Sequence, residues 1–293
     1  MGGRVTSYLI LLHLLLVMFA EASAEVGEKS KQMEAASSDS SVLRMVTKMT
    51  ANSQELNSME YMNDPSNMIF FTTDDLKLGK KLPLNLPPKD PSTTPPMWPK
   101  EMADSIPFSL EQLPQILNFF SFSLGSPQAQ AVESALHRCD IEPNKGETKF
   151  CGTSMESMAD SARSAFGLGS KSSVKYLATS AHSTRSRPPY LQNYTLLQMP
   201  NEIAAPKFLA CHAIPYPYAV HYCHYLEGDN KVLQIPLEGE NGNVVMAAAV
   251  CHVDTSEWSP EHVSFKVLKS KPGMTPVCHV FPPNDLIWIP MDT

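Results

Sequence analysis

The sequence predicts an α+β fold, a small helical layer packed on a larger β-rich part. Three observations predict it. Helix-start signals cluster between about residues 106 and 168, short β-branched and aromatic runs fill residues 171–291, and Pro, Gly or Asn separate those runs. With 293 residues, 43% of them hydrophobic and 18% charged, the chain is long enough and apolar enough to bury a core. Its 25 prolines favour extended arms and turns over long helices.

At the amino terminus, Arg4 precedes an apolar run from Tyr8 to Ala20 and the small residues Ala22-Ser23-Ala24. That order predicts a signal peptide over residues 1–24, cut after Ala24. Its apolar run is too short to span a bilayer comfortably, and no second long run follows, so the expectation is a protein of the secretory pathway without a membrane anchor. Residues 25–68 are polar, with a patch at Ser37-Ser38-Asp39-Ser40-Ser41 and Tyr61 as the single aromatic, and are expected to be a variable, mostly disordered segment. The folded domain is expected over residues 69–291.

It opens with a strand and turn over Ile69–Leu86, then a proline-rich arm through Pro87-Pro88, Pro91 and Pro95-Pro96. Ser109-Leu110-Glu111-Gln112 reads as a capping box starting a helix along Leu113, Ile116, Leu117 and Phe120, with Pro114 delaying its start. Ser126 with Pro127 starts a second helix that ends at Cys139. Thr153-Ser154-Met155-Glu156 reads as a further capping box, for a helix stopping near Gly167. Beyond Ser170, strands are expected at Val174–Thr179, Tyr194–Gln198, Lys207–Ala210, Ala219–Tyr225, Lys231–Pro236, Val244–Val250, Val263–Leu268 and Leu286–Ile289. Glu240-Asn241-Gly242-Asn243 is a hairpin turn signal. So many short strands imply a sandwich or barrel. Asn193-Tyr194-Thr195 is a glycosylation sequon, expected in a loop.

Net charge of −7 argues against a nucleic-acid partner, and the dense basic site Thr184-Arg185-Ser186-Arg187 reads as a solvated loop. There is no HExxH, no phosphate loop and no CxxC. What stands out is the dipeptide Cys-His, at Cys211-His212, Cys223-His224, Cys251-His252 and Cys278-His279. Six cysteines and nine histidines would give about 0.2 such pairs by chance. Neighbours on a strand face opposite sides, so the pattern predicts sulfurs stapling one layer while four imidazoles converge on the other side.

In an oxidising compartment all six cysteines, Cys139 and Cys151 included, are expected in disulfides. Fifteen connectivities remain open, with Cys139–Cys151, which closes a short loop, the pair favoured. Oxidised sulfur is a poor metal ligand, which leaves imidazole; clustered imidazoles suit Zn²⁺, Cu²⁺, Ni²⁺ or Fe²⁺, and on raw affinity Cu²⁺ wins. His221 and His262 are additional candidates, with structural roles the expectation for each, while Asp254 and Glu257 read as surface residues or caps. Because a ligating histidine must be neutral, metal affinity is expected to fall as pH drops through about 6.5.

The four Cys-His pairs, with Phe70-Phe71, Asp75-Leu76 and Gly79 before them, resemble the BURP-domain family of plant proteins. So do Cys139, Gly146-Glu147-Thr148-Lys149, Cys151 and Thr153-Ser154-Met155-Glu156, and later Asp254-Thr255-Ser256, Trp258, Lys271-Pro272-Gly273 and Pro276-Val277-Cys278-His279. The short amino-terminal segment is most similar to the family's unknown-seed-protein group. The resemblance implies a cupin-like double-stranded β domain and copper ligands at His212, His224, His252 and His279. It also implies a seed or reproductive-tissue protein of a storage vacuole or the cell wall, with wall or vacuole components or a peptide as partners. Some members resembling this chain are copper-dependent cyclases that crosslink a Trp or Tyr of their own core peptide. Here residues 25–68 hold only Tyr61, and Trp98, Trp258 and Trp288 lie within the domain. A metal-binding protein is therefore the first expectation and a peptide cyclase the alternative.

Overall fold

The computed structural model describes residues 70–86, 89, 94–143, 147–182, 191–205, 207–226 and 228–291. The expected signal peptide, the segment with Tyr61 and the Arg185-Arg187 loop lie outside them. In chain order the elements are β1 (Phe70–Phe71), β2 (Lys81–Asn85), α1 (Lys100–Asp104), α2 (Leu113–Phe119), α3 (Pro127–Asp140), β3 (Glu147–Gly152), α4 (Met155–Phe166), β4 (Val174–Leu177) and β5 (Ser180–His182). They continue with β6 (Leu191–Leu196), β7 (Asn201–Ile203), β8 (Leu209–Ile214), β9 (Val220–Leu226), β10 (Asn230–Gly239), β11 (Val244–His252), α5 (Val263–Leu268), β12 (Val277–Val280) and β13 (Leu286–Pro290). The class is α+β.

Helix starts follow local chemistry, with two shifts from expectation. The Ser126 side chain accepts from Ala129 N at 3.1 Å and Pro127 takes the first helical position of α3. At α2, Ser109 makes no cap bond to the backbone; a 3-10 turn at Leu110–Gln112 comes first and the helix starts at Leu113, with Pro114 in its first turn. At α4 the cap is Ser154 and its reciprocal partner is Ser157, so the capping box lies one residue later than Thr153–Glu156. Gly167, at φ 72°, ends α4 in the left-handed region that glycine enters without strain.

Among the described residues the strands form two antiparallel sheets. The larger has the order β1-β12-β11-β10-β6-β2, with β5 pairing on β11 and β7 on β10; the smaller has the order β3-β9-β8-β13-β4. Their facing sides share one core, Phe208, Ala210, Ile287 and Ile289 from the smaller sheet against Val232, Ala248 and Val250 from the larger, with Phe281 between. Thr179 fastens this core, since its hydroxyl donates to the Phe281 carbonyl and accepts from Ala248 N. The outer side of the smaller sheet carries α4, whose Met158, Ala162 and Phe166 pack on Leu209 and Trp288. Gly152 is needed there, because a Cβ would stand 2.1 Å from Met158 Cγ. Helices α1 to α3 pack around Trp98 and Phe120 against Ile214, Tyr216, Tyr218 and Val220 at one end of β8 and β9.

Val263–Leu268, expected as a strand, is helix α5. Over six residues, alternation and helical spacing cannot be told apart. What decides is the His262 side chain, which accepts from Ser264 N as the N-cap, and Lys269, which closes the helix at φ 52°. Strands β3, β5, β7 and β12 carry no clean alternation in sequence and were not among the expected runs.

All six cysteines are paired, as Cys139–Cys151, Cys211–Cys223 and Cys251–Cys278. The last two join directly opposed residues, Cys211 with Cys223 across β8–β9 and Cys251 with Cys278 across β11–β12.

Candidate functional site

Those two cross-strand disulfides dictate where the four histidines go. When a cysteine at position i faces a cysteine at j on an antiparallel neighbour, the residues i+1 and j+1 both point to the opposite face and sit diagonally across the ladder. Accordingly His212 lies opposite Tyr222 while His224 lies opposite Ala210; His252 lies opposite Val277 while His279 lies opposite Val250. The Cys211–Cys223 sulfurs face α4 and the Cys251–Cys278 sulfurs face the outer core of the larger sheet. Sulfur therefore staples two separate outer layers, not one, and all four imidazoles turn into the space between the sheets.

There they form a chain. Ring centroids are 5.5 Å apart for His224 and His212, 6.2 Å for His212 and His279, and 5.7 Å for His279 and His252. Phe281, two residues beyond His279 and on the same face, stacks on both His212 and His279 at 5.0 Å. His224, His252, His279 and Phe281 line a cavity of about 10 Å³, room for a single water-sized sphere. Beside these histidines Trp258 meets His252 at 4.9 Å and His262 at 4.7 Å, and Phe70 meets His279 at 6.1 Å.

Three of the rings are aimed by polar neighbours. His212 Nδ1 lies 2.8 Å from Asp285 Oδ2, while Asp285 Oδ1 accepts from Ala213 N at 2.9 Å. A carboxylate can only accept, so the His212 Nδ1 carries a hydrogen and Nε2 is the nitrogen left open for a ligand. His252 Nδ1 donates to Asn230 Oδ1 at 2.7 Å, with the same consequence. His224 Nδ1 is 3.5 Å from Glu147 Oε1, beyond a good hydrogen bond, and Tyr222 OH reaches the same oxygen at 3.4 Å. His279 bonds the Val280 backbone.

Burial keeps three of the four rings neutral. It pulls His224 down to about 4, helped by neighbouring His212 and opposed by Glu147. It pulls His252 down to about 3, with His224, His262 and His212 adding to the effect, and holds His279 well below its ordinary value. A ligating imidazole has to be unprotonated, and desolvation holds His224, His252 and His279 so.

The additional candidates fall beside the quartet. His221 is buried, donates through Nε2 to the Asn284 carbonyl at 2.9 Å, and leaves Nδ1 unpartnered. His262 caps α5. Asp254 is exposed and closes a local turn on Ser256 N at 2.9 Å, and Glu257 is exposed. Asn193 lies on β6 instead of a loop, and its amide donates to Glu240 Oε1 at 2.9 Å. Asp285, Asn230 and Phe281 carry no motif of their own; only Phe281 had a signal, its two-residue spacing from His279.

The His252 and His279 rings stack at 22°, while the His212 ring is tilted by 35° to His279 and by 33° to His224. Among the described residues no group of three or more His, Cys, Asp and Glu side chains stands as one that could hold a metal ion. The donor chemistry nevertheless fits a borderline metal: four imidazoles, three of them kept neutral by burial, with Nε2 of His212 and His252 left open by the partners of their Nδ1 atoms. Replacing Asp285 by Ala leaves the His212 and Ala213 donors unsatisfied and is expected to lower stability by about 1–3 kcal/mol, read from urea unfolding. An unchanged midpoint would mean that Asp285 does not hold this corner.

Residues 69–290 match the family model described as BURP domain. The chain is 43% identical over 229 residues to BURP domain-containing protein BNM2C of Brassica napus, covering 77% of this chain and 81% of that protein. It is 40% identical over 228 residues to BURP domain protein USPL1 of Arabidopsis thaliana, covering 78% and 81%. With Protein RAFTIN 1B of Triticum aestivum it shares 38% over 221 residues, 75% of this chain and 59% of that one.

Proposed function

The chain belongs to the BURP-domain family, and from that premise we propose that it is a disulfide-stapled secretory protein that binds copper through His212, His224, His252 and His279. One observation carries this reading: two cross-strand disulfides, one in each sheet, turn four imidazoles into the same inter-sheet space. Asp285 and Asn230 hold the Nδ1 hydrogens of His212 and His252 and leave Nε2 for the ligand. Phe281, Phe70 and Trp258 wall the cluster and limit water around it. Copper, when bound, supplies one-electron redox chemistry.

The three disulfides support an oxidising destination, a storage vacuole or the cell wall, for which residues 1–24 carry the expected signal. Wall or vacuole components, or a peptide, are the partners this reading names, in seed or reproductive tissue. Among the described residues no helix is long and apolar enough to cross a membrane. The question of self-crosslinking at Tyr61 lies outside the described residues.

The test is electron paramagnetic resonance of the metal-free protein loaded with one equivalent of Cu²⁺ at pH 7. The expected spectrum shows coupling to imidazole nitrogen. A spectrum without nitrogen coupling, or one that survives replacement of all four histidines, counts against the proposal.

A further inference from the structure

The three disulfides differ in what covers them. Cys211, Cys223, Cys251 and Cys278 are each 0% exposed. Cys139 and Cys151 are only partly buried and line an open cleft of about 200 Å³, walled by Phe108, Leu110 and Leu136 with Ser109 and Asp140. Thiol–disulfide exchange needs an attacking thiolate to reach a sulfur, so access separates this bond from the other two.

Its position gives that access a consequence. Cys139 is in the last turn of α3 and Cys151 is on β3. Among the described residues β3 is an edge strand, paired on one side only, with β9. Besides the disulfide, β3 is tied to α3 by Lys149 Nζ donating to the Arg138 carbonyl at 3.4 Å. At its start β3 carries Glu147, whose Oε1 faces both Tyr222 OH and His224 Nδ1.

We propose that Cys139–Cys151 is a thiol–disulfide exchange site for a dithiol small enough to enter the cleft, and that its reduction loosens β3 and the Glu147 wall of the histidine cluster. One thiolate of the dithiol attacks a sulfur, forms a mixed disulfide and releases the other cysteine as a thiolate. The second thiol of the reagent then attacks the mixed disulfide and leaves as a cyclic disulfide. Two electrons and two protons pass from the dithiol to Cys139 and Cys151. The exchange reaction itself needs no copper, since neither cysteine adjoins a histidine of the quartet in sequence.

The experiment uses the folded full chain, treated with limiting dithiothreitol without denaturant, then alkylated and mapped by peptide. Cys139 and Cys151 are expected to be labelled about ten-fold or more ahead of the other four cysteines. Amide exchange over residues 147–152 is expected to speed up about ten-fold in the reduced form, with β8 unchanged. Equal labelling of all six cysteines, or labelling of this pair only on global unfolding, would overturn the exchange site. Selective labelling with unchanged exchange in β3 would overturn the coupling to Glu147. The double variant Cys139→Ser/Cys151→Ser should reproduce the fast exchange; if it does not fold, the reduction time course on the parent decides alone.

Discussion

Lowering the pH of the metal-free protein from 7 to 4.5 is expected to remove about 5 kcal/mol of folding stability through His224 and His252 alone. Burial depresses both in the folded state, to about 4 and about 3. In the unfolded chain each titrates near 6.5, so between about 6.5 and the folded value the unfolded state binds a proton that the folded state refuses. Stability therefore stands in full above about 6.5 and falls by about 1.36 kcal/mol per pH unit per histidine as the pH drops. The loss levels off only once the folded state also takes the proton, near 4 for His224 and near 3 for His252. His279, shifted in the same direction by the same cause, adds to the slope. An effect of this size is a large share of the 5–15 kcal/mol typical of a folded protein. Urea midpoints at pH 7, 6, 5 and 4.5 in the presence of a chelator measure it, and His252→Gln should flatten the curve. A flat profile in the parent would mean the histidines are solvated. The expectation that metal affinity declines through about 6.5 changes accordingly: for His224 and His252 proton competition begins lower.

Replacing Phe281 by Ala is expected to cost about 3–5 kcal/mol, because a fully buried ring leaves a cavity between two sheets that cannot close over it. The same ring lies over His212 and His279 at 19° and 24°, so its loss should also remove ring-current shifts from both imidazoles in the NMR spectrum. Phe281→Leu, which keeps most of the apolar volume but not the aromatic face, separates the two effects: most stability retained, ring-current shifts gone. A cost below about 1 kcal/mol for Phe281→Ala would contradict the packing described.

The quartet was legible because its geometry is local. Cys-His on an extended strand fixes opposite faces, and a disulfide between opposed cysteines fixes the register that brings the paired histidines onto one diagonal. The sequence did not reveal that the two disulfides belong to different sheets facing one another, since that depends on strand order far along the chain. Asp285 and Asn230 were invisible for a similar reason. Each is an ordinary turn or strand-end residue until β13 is laid beside β8 and β10 beside β11, which brings a carboxylate to His212 and an amide to His252. Glu147 lies in a segment that resembles the family, yet Glu147–Gly152 holds only Thr148 and Phe150 as strand-favouring residues, too few to mark a strand. At Val263–Leu268 the apolar pattern fitted both periods, and a side-chain cap from His262 selected the helix.

The central claim is that the four Cys-His histidines are one ligand set. Competition titration with Cu²⁺ and a chromophoric chelator at pH 7, on the parent and on His212→Ala, His224→Ala, His252→Ala and His279→Ala, tests it most directly. Each variant is expected to bind about ten-fold or more weakly while retaining its three disulfides and its fold. Four variants that bind like the parent would show that the histidines only fill the space between the sheets.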